Sequence, residues 1–357
     1  MTFAQFTDMA LYHPSHGYYT SSASRIGPEG DFYTSTDVSP LFGATVGRQL
    51  YQMWQLLGRP RPFTVVEYGA GKGLLAADIL GWMGAAHNEC FQALEYEILE
   101  ISPALRARQS EQLRLLPVRW LQPRAIPPDS LVGCVISNEV ADALPFHRVQ
   151  QQGSQLEELW VIEGTEGLVE DPQDPSTSAL EDYLTRDKVR LPDTHKAEIR
   201  LAAQEWAREQ AEMLHAGFIL TIDYGDTAEN LYGGRYPEGT LACYHRHSKN
   251  QEPFCRIGEQ DITAHVDFSA LARAYRDAGA SVTGLTTQAF FLASLGLGDA
   301  LIIGNPPGAG AAELRRNRNA VEELIRPDGL GSFKVLVAHK GLEEPDLTGL
   351  SLGSRRI

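Results

Sequence analysis

The feature that constrains this chain most is a nine-residue segment, Val65-Val66-Glu67-Tyr68-Gly69-Ala70-Gly71-Lys72-Gly73, which leaves a short apolar run (63–67) and enters a stretch with helical spacing (74–82). Strand, glycine turn and helix in that order open a nucleotide-type α/β sheet. Glycines at alternate positions let the backbone pass close to a bound molecule, while the following helix offers free N–H groups. Spacing then selects the molecule. A dinucleotide fingerprint needs its third glycine at position 74, which is Leu74, and a phosphate loop needs Ser or Thr after Gly71-Lys72; neither is met. Glu67 would repel a pyrophosphate, but it suits a ligand presenting an ammonium and a sulfonium. S-adenosylmethionine is such a ligand.

Further strands are expected at 96–101, 117–120, 131–137, 217–223, 281–286 and 332–339, alternating with helices at 103–115, 194–215, 268–278 and 311–325. Alternation with nearly continuous apolar strands predicts a doubly wound α/β fold, a mostly parallel sheet covered on both faces. No internal repeat interrupts it. Residues 1–60, 151–215 and 226–265 do not fit the alternation and are assigned to a cap or substrate domain over the C-terminal edge of the sheet. The core is then 61–150, 216–225 and 266–340, with 341–357 as a tail. Within 164–190, the pairs Asp171-Pro172 and Asp174-Pro175 leave a plain linker open as an alternative.

The chain has 357 residues, with 31 Lys and Arg against 46 Asp and Glu, a net charge of −15. That balance opposes general binding to nucleic acid or anionic membrane, since phosphate contacts need a surplus of cations. It favours a basic partner. Cys90, Cys134, Cys243 and Cys255 are too sparse for a disulfide scaffold, and no Lys or Arg precedes Arg25, so a cytoplasmic location is expected. The uncharged stretch 278–298 carries six Ser, Thr and Gln residues and reads as soluble core rather than membrane span. Cys243, His245, His247, Cys255 and His265 have ligand chemistry but match no common zinc spacing, so no metal is expected.

Two cofactor contacts follow from position. Glu100, ending the second strand, is placed to accept hydrogen bonds from both ribose hydroxyls, as acids do in nucleotide folds. Gln122, after the third strand, is within reach of an adenine edge or is an ordinary surface amide.

With these residues in hand, the sequence resembles the MidA family of S-adenosylmethionine-dependent methyltransferases. The likeness runs over most of the chain: HPSHGYY (13–19), GDFYTS (30–35), Glu67 to Gly73, EISP (100–103), NEVADALP (138–145), IDYG (222–225), HVDF (265–268) and QAFFL (288–292). Thr36-Asp37 stands where the family usually has Pro-Glu, and LACYHRH (241–247) is an altered form of an Arg-rich segment. The resemblance implies a Rossmann-like class I methyltransferase sheet, S-adenosylmethionine as cofactor with S-adenosylhomocysteine as product, and a protein arginine as acceptor. The family's mitochondrial relative assists assembly of respiratory complex I, so a subunit of that complex is a possible partner. Alternatives are another acceptor, such as a small amine, or a cofactor-binding assembly factor without turnover.

Methyl transfer is an in-line displacement that needs alignment more than acid–base power. Arginine adds a requirement, because a guanidinium is planar and always protonated; two carboxylates can hold it bidentately and take up its proton. Glu139 and Asp142, three residues apart after the fourth strand, are the leading acceptor-binding pair, with Asn138 orienting them. A helix N-terminus decorated with acids is the simpler reading of the same residues. Asp31, Thr34 and Ser35, clustered with Asp37, are expected over the methionine end of the cofactor, with Gly69, Gly71 and Gly73 beneath it; an Asx or Ser/Thr turn capping a helix around 38–50 is the alternative reading of the cluster. Asp37, Asp223 and Tyr224 are expected to shape the acceptor pocket, with structural hydrogen bonding equally open for Asp223 and Tyr224.

Overall fold

The computed structural model describes residues 1–21, 31, 33–122, 124–299 and 311–357. Gly30 and Phe32 of the GDFYTS segment lie outside the described residues. The chain divides into two compact units, one built from Tyr33–Asn138, Gln210–Asp223 and Tyr275–Ile357, the other from Met1–Phe32, Glu139–Glu209 and Tyr224–Ala274. The N-terminal piece therefore does not stay together through residue 60: residues from Tyr33 onward belong to the first unit.

Among the described residues the first unit contains seven strands: β1 (Phe63–Tyr68), β2 (Leu94–Leu99), β3 (Val118–Leu121), β4 (Leu131–Asn138), β5 (Leu214–Asp223), β6 (Ser281–Thr287) and β7 (Lys334–Lys340). Their order is β6-β7-β5-β4-β1-β2-β3. All neighbours are parallel except β7, which runs antiparallel to both β5 and β6. Strand order reverses between β1 and β4, and at such a switch point open α/β sheets bind ligands beyond the carboxyl ends of the strands.

Burial explains the strand sequences. Val65 and Val66 are adjacent yet both buried, because β1 has a parallel neighbour on each side and packed layers above and below. The helix Pro40–Leu56 starts on Ser39, whose hydroxyl accepts the Leu41 N–H, with proline at its first position. It buries Phe42, Val46, Leu50 and Met53 against Leu75, Ile79 and Leu80 of the helix Leu74–Ala86.

The second unit holds an antiparallel sheet in the order Gly167–Gln173, Gln155–Gly164, His147–Gln152, Lys196–Ile199, and a three-stranded sheet of Ser248–Asn250, Ala242–His245 and Asp261–Thr263. The single helix expected at 194–215 is thus three elements: Lys196–Ile199 is a strand paired with His147–Gln150, the helix is Leu201–Met213, and Leu214 already opens β5. The stretch 164–190 is not a linker either, since it contains a full strand and the helix Ala179–Arg186, which buries Leu180, Tyr183 and Leu184. At the amino end, the helix Phe3–Tyr12 carries a Thr2/Gln5 capping box and buries Phe3, Phe6, Ala10 and Leu11 against Phe146, Val161 and Ile262.

Candidate active site

The register of the large sheet brings the expected cofactor residues to one edge. Tyr68 lies opposite Leu99 on one side and Ser137 on the other, so Gly69, Glu100 and Asn138 leave the sheet side by side. Asn138 lies opposite Ile222, which puts Asp223 at the same edge. Gly69, Gly71 and Gly73 have φ of 57°, 54° and 79°, the left-handed region that side chains other than glycine adopt only with strain. A Cβ at Gly71 would project into open space, with nothing within 4 Å. The room beside that glycine is what a closely approaching ligand requires.

Glu67 is 3 % exposed, and the Tyr96 hydroxyl donates to its Oε2 at 2.8 Å. Burial, reinforced by the charge of Glu100, pushes its pKa up to about 8, against the lowering effect of the Tyr96 hydrogen bond. A buried carboxylate in this state gains from a nearby cation. Burial also raises Glu100, whose oxygens accept from the Ser102 N–H at 2.8 Å and from Gln109 Nε2 at 2.9 Å. Each carboxylate oxygen can accept more than one hydrogen bond, so capacity remains for two hydroxyls. Ile101, directly after Glu100, is 58 % exposed and offers an apolar surface at the same edge. Gln122 is exposed on the chain beyond β3.

Thr34, Ser35 and Asp37 surround a short helical turn, Ser35–Val38, in the same unit. Asp37 Oδ2 accepts from the Thr34 N–H at 3.1 Å, its other oxygen pairs with Lys72 of the glycine turn, and Ser35 donates to Gln288 at 3.1 Å. Asp37 is therefore committed to a cation and a cap within this unit. Asp31 is not grouped with these residues. It belongs to the second unit, where its carboxylate accepts from the Tyr18 hydroxyl at 2.8 Å and the Arg246 N–H at 2.6 Å.

Glu139, Asp142 and Tyr224 also belong to the second unit, which the chain enters directly after Asn138 and again after Asp223. Glu139 has φ of 55°, a conformation costing a non-glycine residue roughly 1–2 kcal/mol and concentrated at functional sites. No long helix starts here, only the single 3-10 turn Ala141–Ala143, so the acids are not decorating a helix dipole. Asp142 is buried; its Oδ2 accepts from the Tyr224 hydroxyl at 2.5 Å and from Thr263 at 3.1 Å, and Arg200 donates to its backbone carbonyl at 2.6 Å. Burial raises the Asp142 pKa, against those hydrogen bonds and the Arg200 charge.

A second acid escaped the sequence reading. Asp261 accepts from the Tyr19 hydroxyl at 2.8 Å, and burial, then the neighbouring Asp142, pushes its pKa up to about 7. Tyr12 donates to the Ala143 carbonyl at 2.9 Å. Asp142 and Asp261 are 119 positions apart in sequence; only the HPSHGYY segment, which supplies Tyr19, hinted that this end of the chain matters.

A family model described as "Putative S-adenosyl-L-methionine-dependent methyltransferase" matches residues 45–286, more than half of the chain. The chain belongs to this methyltransferase family. The crystal structure of a Burkholderia thailandensis protein described as a "likely methyl transferase", bound to S-adenosyl-homocysteine, is similar to it at 32 % identity and a TM-score of 0.89, over 99 % of this chain and 91 % of that one. Among curated proteins, it is similar to the mitochondrial protein arginine methyltransferase NDUFAF7 of Mus musculus, 25 % identical over 96 % of this chain and 82 % of that protein. The Danio rerio counterpart is 27 % identical over 92 % and 80 %.

The methyltransferase's cofactor is S-adenosylmethionine, and its residues fit that group. The left-handed glycine turn leaves room at Gly71, Glu67 is a buried acid with no cation hydrogen-bonded to it among the described residues, and Glu100 keeps free acceptor capacity. Bound there, the cofactor supplies an electrophilic methyl group on a sulfonium. No helix among the described residues is long and apolar enough to cross a membrane.

Proposed function

We propose that this methyltransferase methylates the guanidinium of an arginine in a protein substrate, with Glu139 and Asp142 holding the acceptor and Asn138 orienting it. The observation that carries this reading is the buried Asp142, ringed by Tyr224 and Thr263 and near enough to Asp261 to raise its pKa. Two carboxylates in one low-dielectric region repel each other, and a planar cation with five N–H donors relieves both. The name borne by the NDUFAF7 relatives, protein arginine methyltransferase, supports the same acceptor. Glu67, Glu100 and the glycine turn hold the cofactor, with Thr34 and Ser35 contributing from the turn that Asp37 caps. Glu139 accepts the proton released as the N–C bond forms, and Tyr224 fixes the Asp142 carboxylate. A respiratory complex I subunit is the leading candidate for the substrate protein.

The test is incubation with methyl-labelled S-adenosylmethionine and protein from cells lacking this enzyme, followed by mass analysis of labelled peptides. Label on arginine side-chain nitrogens is expected, and a complex I subunit among the labelled proteins would name the partner. Label confined to small amines or to other residue types would overturn the acceptor.

A further inference from the structure

The helix Pro103–Gln112 buries one narrow stripe, Leu105 and Gln109, continued by Leu113 just beyond its end. Spacing of four residues makes 105, 109 and 113 one face. Packing alone would place an apolar residue in the middle of that face. The chain has an amide there, fully buried, and burying an amide costs about 1–3 kcal/mol unless its hydrogen bonds are made.

Two of its three partners, Gly71 and Glu100, are expected cofactor residues, and the third is Trp120 of β3. Trp120 Nε1 donates to Gln109 Oε1 at 2.9 Å, while Nε2 donates to the Gly71 carbonyl at 3.0 Å and to Glu100 Oε2 at 2.9 Å. An indole N–H only donates, so Trp120 fixes which end of the amide is oxygen and turns both N–H groups toward acceptors. One side chain thereby ties together the strand carrying Trp120, the glycine turn and the acid beyond β2. With the Ser102 N–H on the other oxygen, the Glu100 carboxylate is held at both ends.

We propose that Gln109 is a positioning residue for the cofactor, fixing the Glu100 carboxylate in the orientation that receives the two ribose hydroxyls and coupling that grip to the glycine turn. The proposal rests on the reading of Glu100 as the ribose ligand. Without Gln109, Glu100 Oε2 and the Gly71 carbonyl each lose a donor, and the carboxylate rotates about its own side-chain bonds. Affinity then falls through the ribose contacts, while the adenine and methionine contacts persist.

Calorimetric titration of S-adenosylhomocysteine and of its 2′,3′-dideoxy analogue separates these contributions. The proteins are wild type, Gln109→Leu, Gln109→Met as the more adaptable replacement, and Glu100→Ala. Folding is verified by circular dichroism. Gln109→Leu or Gln109→Met is expected to weaken S-adenosylhomocysteine at least tenfold and the dideoxy analogue less than threefold, so that the preference for the ribose hydroxyls shrinks. Equal weakening of both ligands would reduce Gln109 to a packing residue and overturn the proposal, as would no weakening of either. Glu100→Ala is the control: if it keeps the full preference for the hydroxyls, the assignment of Glu100 itself fails, whereas a loss there with none in the Gln109 variants removes Gln109 alone.

Discussion

At the scale of single residues, Glu67 makes the sharpest demand. Its folded-state pKa of about 8 lies above the ordinary value of 4.5, so between these values the folded chain keeps a proton that the unfolded chain has released. The stability associated with this group is fully present below the ordinary value and is lost as pH rises through about 8. A bound cation reverses the preference and favours the carboxylate. Cofactor affinity is therefore expected to rise as pH increases from 6 to 8, with proton release on binding. Glu67→Gln keeps an oxygen for the Tyr96 hydroxyl but removes the charge; we expect it to weaken binding roughly tenfold at pH 8, about 1.4 kcal/mol, and to flatten the pH dependence. A variant whose titrations keep the wild-type slope would show that Glu67 does not face the cation. Glu67 and Glu100 could be singled out as candidates because each sits next to a strand end, and the structure puts both beside the glycine turn. Gln109 was not: a glutamine between Arg108 and Ser110 in a charged helix reads as surface, and only the fold shows that it is buried.

At the scale of elements, the glycine turn and the start of the helix Pro103–Gln112 are locally determined, which is why they could be read directly. Gly71→Ala places a methyl group in open space on a left-handed backbone, so the expected stability loss is small, about 1–2 kcal/mol, while cofactor affinity falls more than tenfold. Thermal melts and calorimetry on the same protein check the two halves. Ser102 caps the helix Pro103–Gln112 by accepting the Leu105 N–H at 3.3 Å, so Ser102→Ala should cost about 1 kcal/mol, measured by urea unfolding. The elements that sequence reading missed are non-local. Lys196–Ile199 has helical composition and becomes a strand because His147–Gln150 supplies its ladder. The strands between 147 and 173 are rich in Gln and Glu, and their alternation shows only when paired; Leu156 and Glu158 are both buried, the latter beneath His147 and the Ser176 N–H. Tertiary context overrides propensity in such segments.

At the scale of the whole molecule, the strand order and the net charge carry separate consequences. The sheet order with an antiparallel β7 follows from strands that were each legible, but the direction of β7 was not, since an apolar strand buried on both faces has the same pattern whichever way it runs. The division at Asn138 and Asp223 allots the glycine turn, Glu67 and Glu100 to one unit and Glu139, Asp142 and Tyr224 to the other; Asp31 joins the latter, while Asp37 and Asp223 stay with the former. A net charge of −15 predicts that a basic protein substrate associates faster at low ionic strength. KM for such a substrate should rise severalfold between 50 and 300 mM salt, roughly as expected when the screening length contracts, with kcat unchanged. A KM indifferent to salt would argue for a neutral acceptor.

The most direct measurement compares methyl transfer by wild type and Glu139→Gln at saturating cofactor, on an arginine-containing protein that wild type methylates, after calorimetry has established cofactor affinity for both. Cofactor binding within about twofold of wild type and transfer reduced at least 100-fold, a loss of roughly 2.7 kcal/mol in transition-state stabilisation, is the predicted result. Undiminished transfer by Glu139→Gln would contradict the assignment of the acceptor to the acids that follow β4.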